Sequence, residues 1–242
     1  MRIYYAIPME RSVQCDAVVS LLDVAIHAHH NKALRINMGY KRVDDARNSA
    51  AKLFLAHSKS EDDVLVMLDN DHTHPAHIVP HLASKVDAEH EVVGALMFRR
   101  SLPHDPCFYR LGEDNRVVDV PTTFDGSLVK CDIVGTGAIA IRRSVFTKLD
   151  ANGFRWPYFR FVYTEGEDIQ RSEDWNFGLE CRKAGIPHWC DTSIMSPHIG
   201  QFLIGPDEWI KELSWGIEHP QEFEERYKLL GMKLAAKEEV AA

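Results

Sequence analysis

Apolar positions along the first hundred residues switch repeatedly between two spacings. Residues 2–7 and 64–68 are short continuous or alternating apolar runs that predict strands. Between them Val13, Ala17, Val18, Leu21, Ala25 and Ile26 keep helical spacing behind Ser12, a good N-cap, and a short strand near 33–37 precedes a second helical stripe at Val43, Ala46, Ala50, Leu53 and Phe54. Pro75 suits the first turn of a third helix, whose buried stripe is Ile78, Val79, Leu82 and Val86, and a strand over 91–98 follows. Regular alternation of strand and helix predicts an α/β fold: a sheet with crossover helices.

The pattern weakens between 101 and 130, where loops and small antiparallel strands are expected. Residues 131–142 then form a buried strand with a glycine-rich kink, Ser144 is placed to cap a short helix, and Ser172 through Ala184 predicts a longer one that stops before Gly185 and Pro187. A strand over 188–190 ends on Asp191. The chain divides into a main domain, 1–204, and a helical extension, 205–242, with Trp209, Leu213, Phe223, Tyr227 and Leu230 as its packing residues.

Composition narrows the classes. At 242 residues with 45% hydrophobic and 26% charged, the chain is long enough for one deep core. Its net charge of −8 argues against a general electrostatic grip on nucleic acid. The first eight residues are too short and polar a run for a signal peptide, and no apolar stretch reaches membrane-spanning length, so a cytoplasmic protein without a membrane span is expected. Five cysteines without a C-x-x-C pair (Cys15, Cys107, Cys131, Cys181, Cys190) suit reduced core thiols.

Candidate chemistry begins where the 64–68 strand stops on Asp69-Asn70-Asp71. Carboxylates at the C-terminal end of a parallel strand can hold Mg²⁺ or Mn²⁺ against a phosphorylated ligand, though an Asp turn before a helix would use the same residues. Four histidines follow. His72, His74 and His77 resemble the zinc-binding loop of metallo-β-lactamase-type hydrolases, with Ala76 where that loop has its aspartate, while His77 and His81, four apart, also suit a solvated helix face. Glu173 and Asp174, behind Ser172, either complement the helix dipole or supply a general base, with Trp175 beside them to pack against a sugar ring. If the chain folds back so that His198 faces Asp71, imidazole plus carboxylate favours Mn²⁺ over Mg²⁺.

In this order the pieces resemble the GT-A nucleotide-sugar glycosyltransferases, particularly small soluble bacterial and phage-type members related to family 2. The matching residues are Ile7-Pro8, Arg47-Asn48, Leu68 through Asp71, Gly135 through Arg143, Ser172 through Trp175 with Phe177, and His198 through Gly200, over about residues 1–200. The resemblance implies a GT-A, Rossmann-like, mainly parallel sheet flanked by helices, and a metal-dependent glycosyltransferase working on a nucleotide-sugar donor. Asp71 and His198 would hold Mn²⁺ or Mg²⁺, with Asp69 on the metal or the nucleotide ribose. Ile7, Pro8, Arg47, Asn48, Asn70, Gly135, Gly137 and Trp175 would line the donor pocket, and Asp174 or Glu173 would act on the acceptor hydroxyl.

Other readings stay open. A nucleotidyltransferase shares strand-end carboxylates, although Ile7 through Arg11 is not a glycine- and lysine-rich phosphate loop. A zinc hydrolase on His72, His74 and His77, and a non-catalytic binding module, are further classes. Glu165, Glu167 and Asp168 offer alternative working carboxylates. The acceptor is a glycan, a small molecule or, if Arg99, Arg100, Arg110, Arg142 and Arg143 form a basic wall, a modified nucleic acid; such arginines more often pair with surface acids. A homodimer through the C-terminal segment is also open.

Overall fold

The computed structural model describes residues 1–8, 13–37, 41–119, 124–163, 170–200 and 203–229. Its elements in order are β1 (Ile3–Ala6), α1 (Cys15–His30), β2 (Leu34–Ile36), α2 (Val43–His57), β3 (Val64–Leu68), α3 (Ile78–Lys85), β4 (Val92–Leu96), β5 (Phe108–Leu111), β6 (Val117–Asp119), β7 (Leu128–Cys131), β8 (Ile133–Val134), β9 (Ala138–Arg142), α4 (Arg143–Ala151), β10 (Val162–Tyr163), β11 (Gln170–Arg171), α5 (Glu173–Lys183), β12 (His188–Met195), β13 (His198–Ile199), β14 (Leu203–Ile204), α6 (Pro206–Glu218) and α7 (Pro220–Leu229).

The main sheet has seven strands in the order β2-β1-β3-β9-β4-β12-β7. β2, β1, β3, β4 and β12 run the same way, and β9 and β7 run against them. Burial on both faces explains why β3 reads as an unbroken apolar run. Leu65 and Met67 enter a cluster with Phe54, Phe146, Phe177 and Trp209, whereas Val64, Val66 and Leu68 enter one with Leu21, Val24, Ile78 and Leu82. Side chains alternate across a strand, so α2, α4, α5 and α6 cover one face of the sheet and α1 and α3 the other. The molecule is an α/β fold with a mixed, mainly parallel sheet. Phe223 of α7 joins the same cluster as Trp209. Among the described residues no helix is long and apolar enough to cross a membrane.

Several local expectations change. Helix α1 starts at Cys15 with Gln14 at its N-cap position, and Ser12 lies outside the described residues. Its buried stripe is Ala17, Leu21, Val24 and Ala28, so Ala17 and Leu21 are buried as expected while Val18 and Ile26 are exposed. Pro75 does not open α3; its carbonyl accepts from Ile78 N–H in the turn before, and Pro80 occupies the first turn. Ser144 is not a cap, because its hydroxyl donates to the buried Glu91 carboxylate and Arg142 holds the N-cap position. The strand over 188–190 continues to Met195, which leaves Asp191 buried within β12. Cys15 is exposed, unlike the other four thiols. Leu230, the side chain of Tyr227, and Glu165, Glu167 and Asp168 lie outside the described residues.

His188 is fully buried in β12 beneath Phe177, and neither ring nitrogen has a hydrogen-bond partner among the described residues. Burial lowers its pKa from 6.5 to about 3. An unfolded chain therefore takes up a proton below 6.5 that the folded chain refuses, and stability falls as pH drops from 6.5 towards 3. The contribution has a slope of about 1.4 kcal/mol per pH unit. His188→Leu, which loses no hydrogen bond, is expected to remove about 2 kcal/mol of the stability difference between pH 6.5 and pH 5. Urea denaturation at the two values measures this; an unchanged pH dependence in the variant would refute it.

Candidate active site and metal centre

Parallel strands deliver their C-terminal ends to one edge of a sheet, where ligands commonly bind in α/β folds. Here that edge gathers Ile7-Pro8 after β1, Asp69 through Asp71 after β3, Phe98 beyond β4, and Ser196 through His198 after β12. The antiparallel β9 brings its start to the same edge, so Asp69 N–H donates to the Gly137 carbonyl at 2.7 Å. The chains leaving β3 and β12 then pair. Thr73 N–H donates to Pro197 at 3.0 Å, Ile199 N–H donates to Asp71 at 2.8 Å, and His72 sits opposite His198 in an isolated antiparallel bridge.

This pairing brings Asp71 and His198 together as the resemblance implies and adds His72. One ligand atom from each of the three lies within 4.8 Å of the others, and among the described residues no other group of histidine, cysteine, aspartate and glutamate meets that condition. The His72 and His198 rings lie against each other, tilted by 38°, with centroids 3.7 Å apart. His198 Nδ1–H donates to the Phe98 carbonyl, leaving Nε2 as its available ligand atom. His72 Nδ1–H donates to Asp71 Oδ1 at 3.0 Å, while its buried Nε2 has no partner among the described residues. Burial lowers the His72 pKa to about 4, so the ring is neutral with a lone pair on Nε2. Burial opposes ionisation of Asp71, but the His72 hydrogen bond and the nearby Arg100 guanidinium hold it well below the usual carboxylate range. An ionised carboxylate, a neutral imidazole with an orphaned nitrogen and a second oriented imidazole fit a divalent cation. In the sequence His72 reads as one of three neighbouring histidines; the pairing with the chain leaving β12 is what sets it beside Asp71 and His198.

Gly137 makes room for that imidazole. A Cβ there would stand 2.6 Å from His72 Cε1 and 2.9 Å from Nε2. Gly135 does the same for Cys107 and Met97, and its N–H donates to the Cys107 carbonyl at 2.7 Å. Both glycines are thus packing requirements of the strand-end loops. Ile7, Pro8 and Asn70 are buried at this edge, and Asn70 Nδ2 has no partner among the described residues.

The other histidines divide. His74 is buried and both its nitrogens are engaged: Nε2–H donates to the Asp69 carbonyl at 2.7 Å, and Nδ1 accepts from Ser196 Oγ at 2.8 Å. His77 is exposed on the far side and touches the rings of His27 and His81. His72, His74 and His77 therefore do not form one centre. Nor is His81 simply solvated, since its Nε2 pairs with the buried Asp191 at 2.9 Å.

Asp69 stands apart from the cation cluster. Its carboxylate takes both hydrogen bonds of Arg47 Nη2, at 2.8 and 2.6 Å, and Arg47 Nη1 donates to Glu173. Arg47 is 3% exposed, with Asp69 at 20% and Glu173 at 7%. One guanidinium thus ties the end of β3 to the start of α5. Burial lifts the Glu173 carboxyl to about 7 against the pull of Arg47, with Asp174 and Asp69 adding to the rise. Asn48 points elsewhere: its amide donates to the Phe159 carbonyl at 2.6 Å and accepts from Phe159 N–H at 3.0 Å. Asp174 is half-buried; its Oδ1 accepts from Ser172 Oγ and from Trp175 N–H, and Oδ2 accepts no hydrogen bond from the described residues. Trp175 packs on Tyr109, ring centroids 5.6 Å apart.

The five arginines of the candidate basic wall all pair with acids. Arg99 pairs with Asp105, Arg100 with Asp71, Arg110 with Asp119, Arg142 with Asp62 and Glu91, and Arg143 with Glu61. Each cation has found a carboxylate, which an acidic chain readily supplies.

No protein-family model matches the chain, and none of the curated proteins matches it. Among solved structures, A197 from STIV superposes with a TM-score of 0.57 at 18% identity, covering 86% of this chain and 92% of that one. That likeness is one of fold. A Drosophila β1,4-galactosyltransferase 7 mutant in complex with manganese, UDP-Gal and xylobiose gives 0.43 at 12% identity, over 82% of this chain and 71% of the other. GalNAc-T7 with UDP, GalNAc and Mn²⁺ gives 0.45 at 12%, over 86% and 47%.

The clamp makes a direct prediction. Arg47→Leu leaves Asp69 and Glu173 buried without their cation and is expected to destabilise the fold by about 3–5 kcal/mol. Chemical denaturation measures it, and a loss below about 1 kcal/mol, the scale of a surface pair, would show that the clamp does not hold the two elements together.

Proposed function

We propose that the protein is a metal-dependent glycosyltransferase that moves a sugar from a nucleotide-sugar donor to an acceptor hydroxyl. The observation that carries this reading is the meeting of Asp71, His72 and His198 at the sheet edge where the chains leaving β3 and β12 pair. Those three residues would hold Mn²⁺, which a mixed carboxylate and imidazole set suits better than Mg²⁺. When bound, such an ion stabilises the negative charge that develops on a nucleoside diphosphate as the sugar leaves.

The chain's own residues supply the rest. Asn70, Gly135 and Gly137 line the donor side of the edge together with Ile7 and Pro8. Asp69, oriented by Arg47, is placed to accept hydrogen bonds from the nucleotide ribose. Glu173 is committed to Arg47, which leaves Asp174 as the carboxylate of the pair able to work on substrate. Asp174 takes the proton of the acceptor hydroxyl as its oxygen forms a bond to the anomeric carbon and the sugar–phosphate bond breaks on the opposite side. A single in-line displacement of this kind inverts the anomeric centre. Trp175 offers an aromatic face to the sugar or acceptor.

Asp71→Ala is expected to abolish Mn²⁺-stimulated turnover of nucleotide-sugars while leaving the thermal midpoint within a few degrees, because Asp71 is a half-buried loop residue. Full activity in that variant ends the metal assignment. Asp174→Asn is expected to lower turnover by about 10²–10⁴ with nucleotide affinity little changed. Near-normal turnover would transfer the base role to Glu165, Glu167 or Asp168.

A further inference from the structure

Of the five arginines Arg99, Arg100, Arg110, Arg142 and Arg143, four pair with acids outside the candidate cation site. Arg99 lies on Asp105, which is fully buried and also accepts from the Tyr109 hydroxyl at 3.0 Å. Arg110, Arg142 and Arg143 pair with Asp119, with Asp62 and Glu91, and with Glu61. Arg100 differs. Its guanidinium stands 3.3 Å from Asp71 Oδ2, the oxygen of the cation-site carboxylate that His72 does not use, and the side chain is 60% exposed. It belongs to the segment beyond β4 whose Phe98 carbonyl orients His198 and whose Arg99 N–H is fastened to the Asp105 carbonyl at 3.0 Å. The backbone is therefore held close to the site while the long side chain remains free to turn.

Resting on the glycosyltransferase reading, we propose that Arg100 is an exchangeable counter-ion: it occupies Asp71 while no divalent cation is bound and pairs with the donor diphosphate once one is. The physical ground is charge. An ionised Asp71 flanked by a guanidinium is satisfied without a metal, so a cation must displace Arg100 from it. With Asp71 committed to a divalent ion, the guanidinium meets repulsion where it had attraction. The nearest new anion in the proposed complex is the diphosphate, for which the planar fork of donors is well matched. No proton or covalent bond changes in the exchange.

The two halves of the exchange require opposite signs in one variant. Arg100→Met is expected to bind Mn²⁺ alone about two- to fivefold more tightly, since a largely exposed competing pair is lost. With Mn²⁺ present it is expected to bind UDP or GDP, whichever the wild type retains, about tenfold more weakly, the loss of a charge-assisted contact. Electron paramagnetic resonance of free Mn²⁺ and calorimetric nucleotide titration read the two affinities without any turnover, and a thermal melt confirms that this exposed position leaves the fold intact. Arg100→Lys should restore part of the nucleotide affinity. A wild type that takes up no Mn²⁺ removes the glycosyltransferase reading and this inference with it. A wild type that binds Mn²⁺, beside an Arg100→Met variant whose Mn²⁺ affinity is unchanged or weaker or whose nucleotide affinity is unchanged, overturns the exchange alone.

Discussion

Two backbone hydrogen bonds, Thr73 to Pro197 and Ile199 to Asp71, join stretches of chain more than a hundred residues apart and set everything at the candidate site. They are possible because β3 and β12 run the same way in one sheet, so the chains leaving them emerge at the same edge. Neither side chain alone would make a cation site; an imidazole and a carboxylate become a ligand set only when the backbone holds them face to face. His74 secures the same junction from beneath, spanning the Asp69 carbonyl and the Ser196 hydroxyl, while Ser20 of α1 holds the His74 backbone at both its N–H and its carbonyl.

Charge is arranged in two layers around this junction. Inside, Arg47 balances Asp69 and Glu173, and removal of water makes that arrangement costly to break yet of small net benefit to stability. Its value lies in geometry, since it aligns the end of β3 with the first turn of α5, where Asp174 follows. Outside, arginines such as Arg110 meet acids across exposed surface, where such a pair is worth roughly 0.2–1 kcal/mol. A chain of net charge −8 has carboxylates to spare for them, which is why arginines that look like a cluster in the sequence are scattered among partners in the fold.

Strand β3, helices α2 and α5 and the alternation of elements were legible because their residues answer to local rules: an apolar run of strand length, a 3.6-residue stripe, serine before acids and glycine after. Misread positions were decided by the tertiary structure. Val18 and Ile26 are apolar on α1 but face away from the sheet, Ser144 found a buried carboxylate instead of a helix N-terminus, and His81 found Asp191 on β12. For Ser144 and His81 a partner distant in sequence outweighed the local preference, and on α1 the way the helix sits on the sheet decided which apolar residues are buried.

The order of apolar and polar residues by itself determined an α/β sheet with carboxylates at a strand end, because periodicity and burial are properties of neighbouring residues. Only the tertiary structure decided that His72 rather than Asp69 joins Asp71 and His198, that Arg47 holds Asp69 and Glu173 apart from the candidate cation site, and that Arg100 rests on Asp71. The reason is physical: strand direction and register fix which chain ends meet, and a short hydrogen bond or ion pair depends on separations in space that spacing along the chain does not encode.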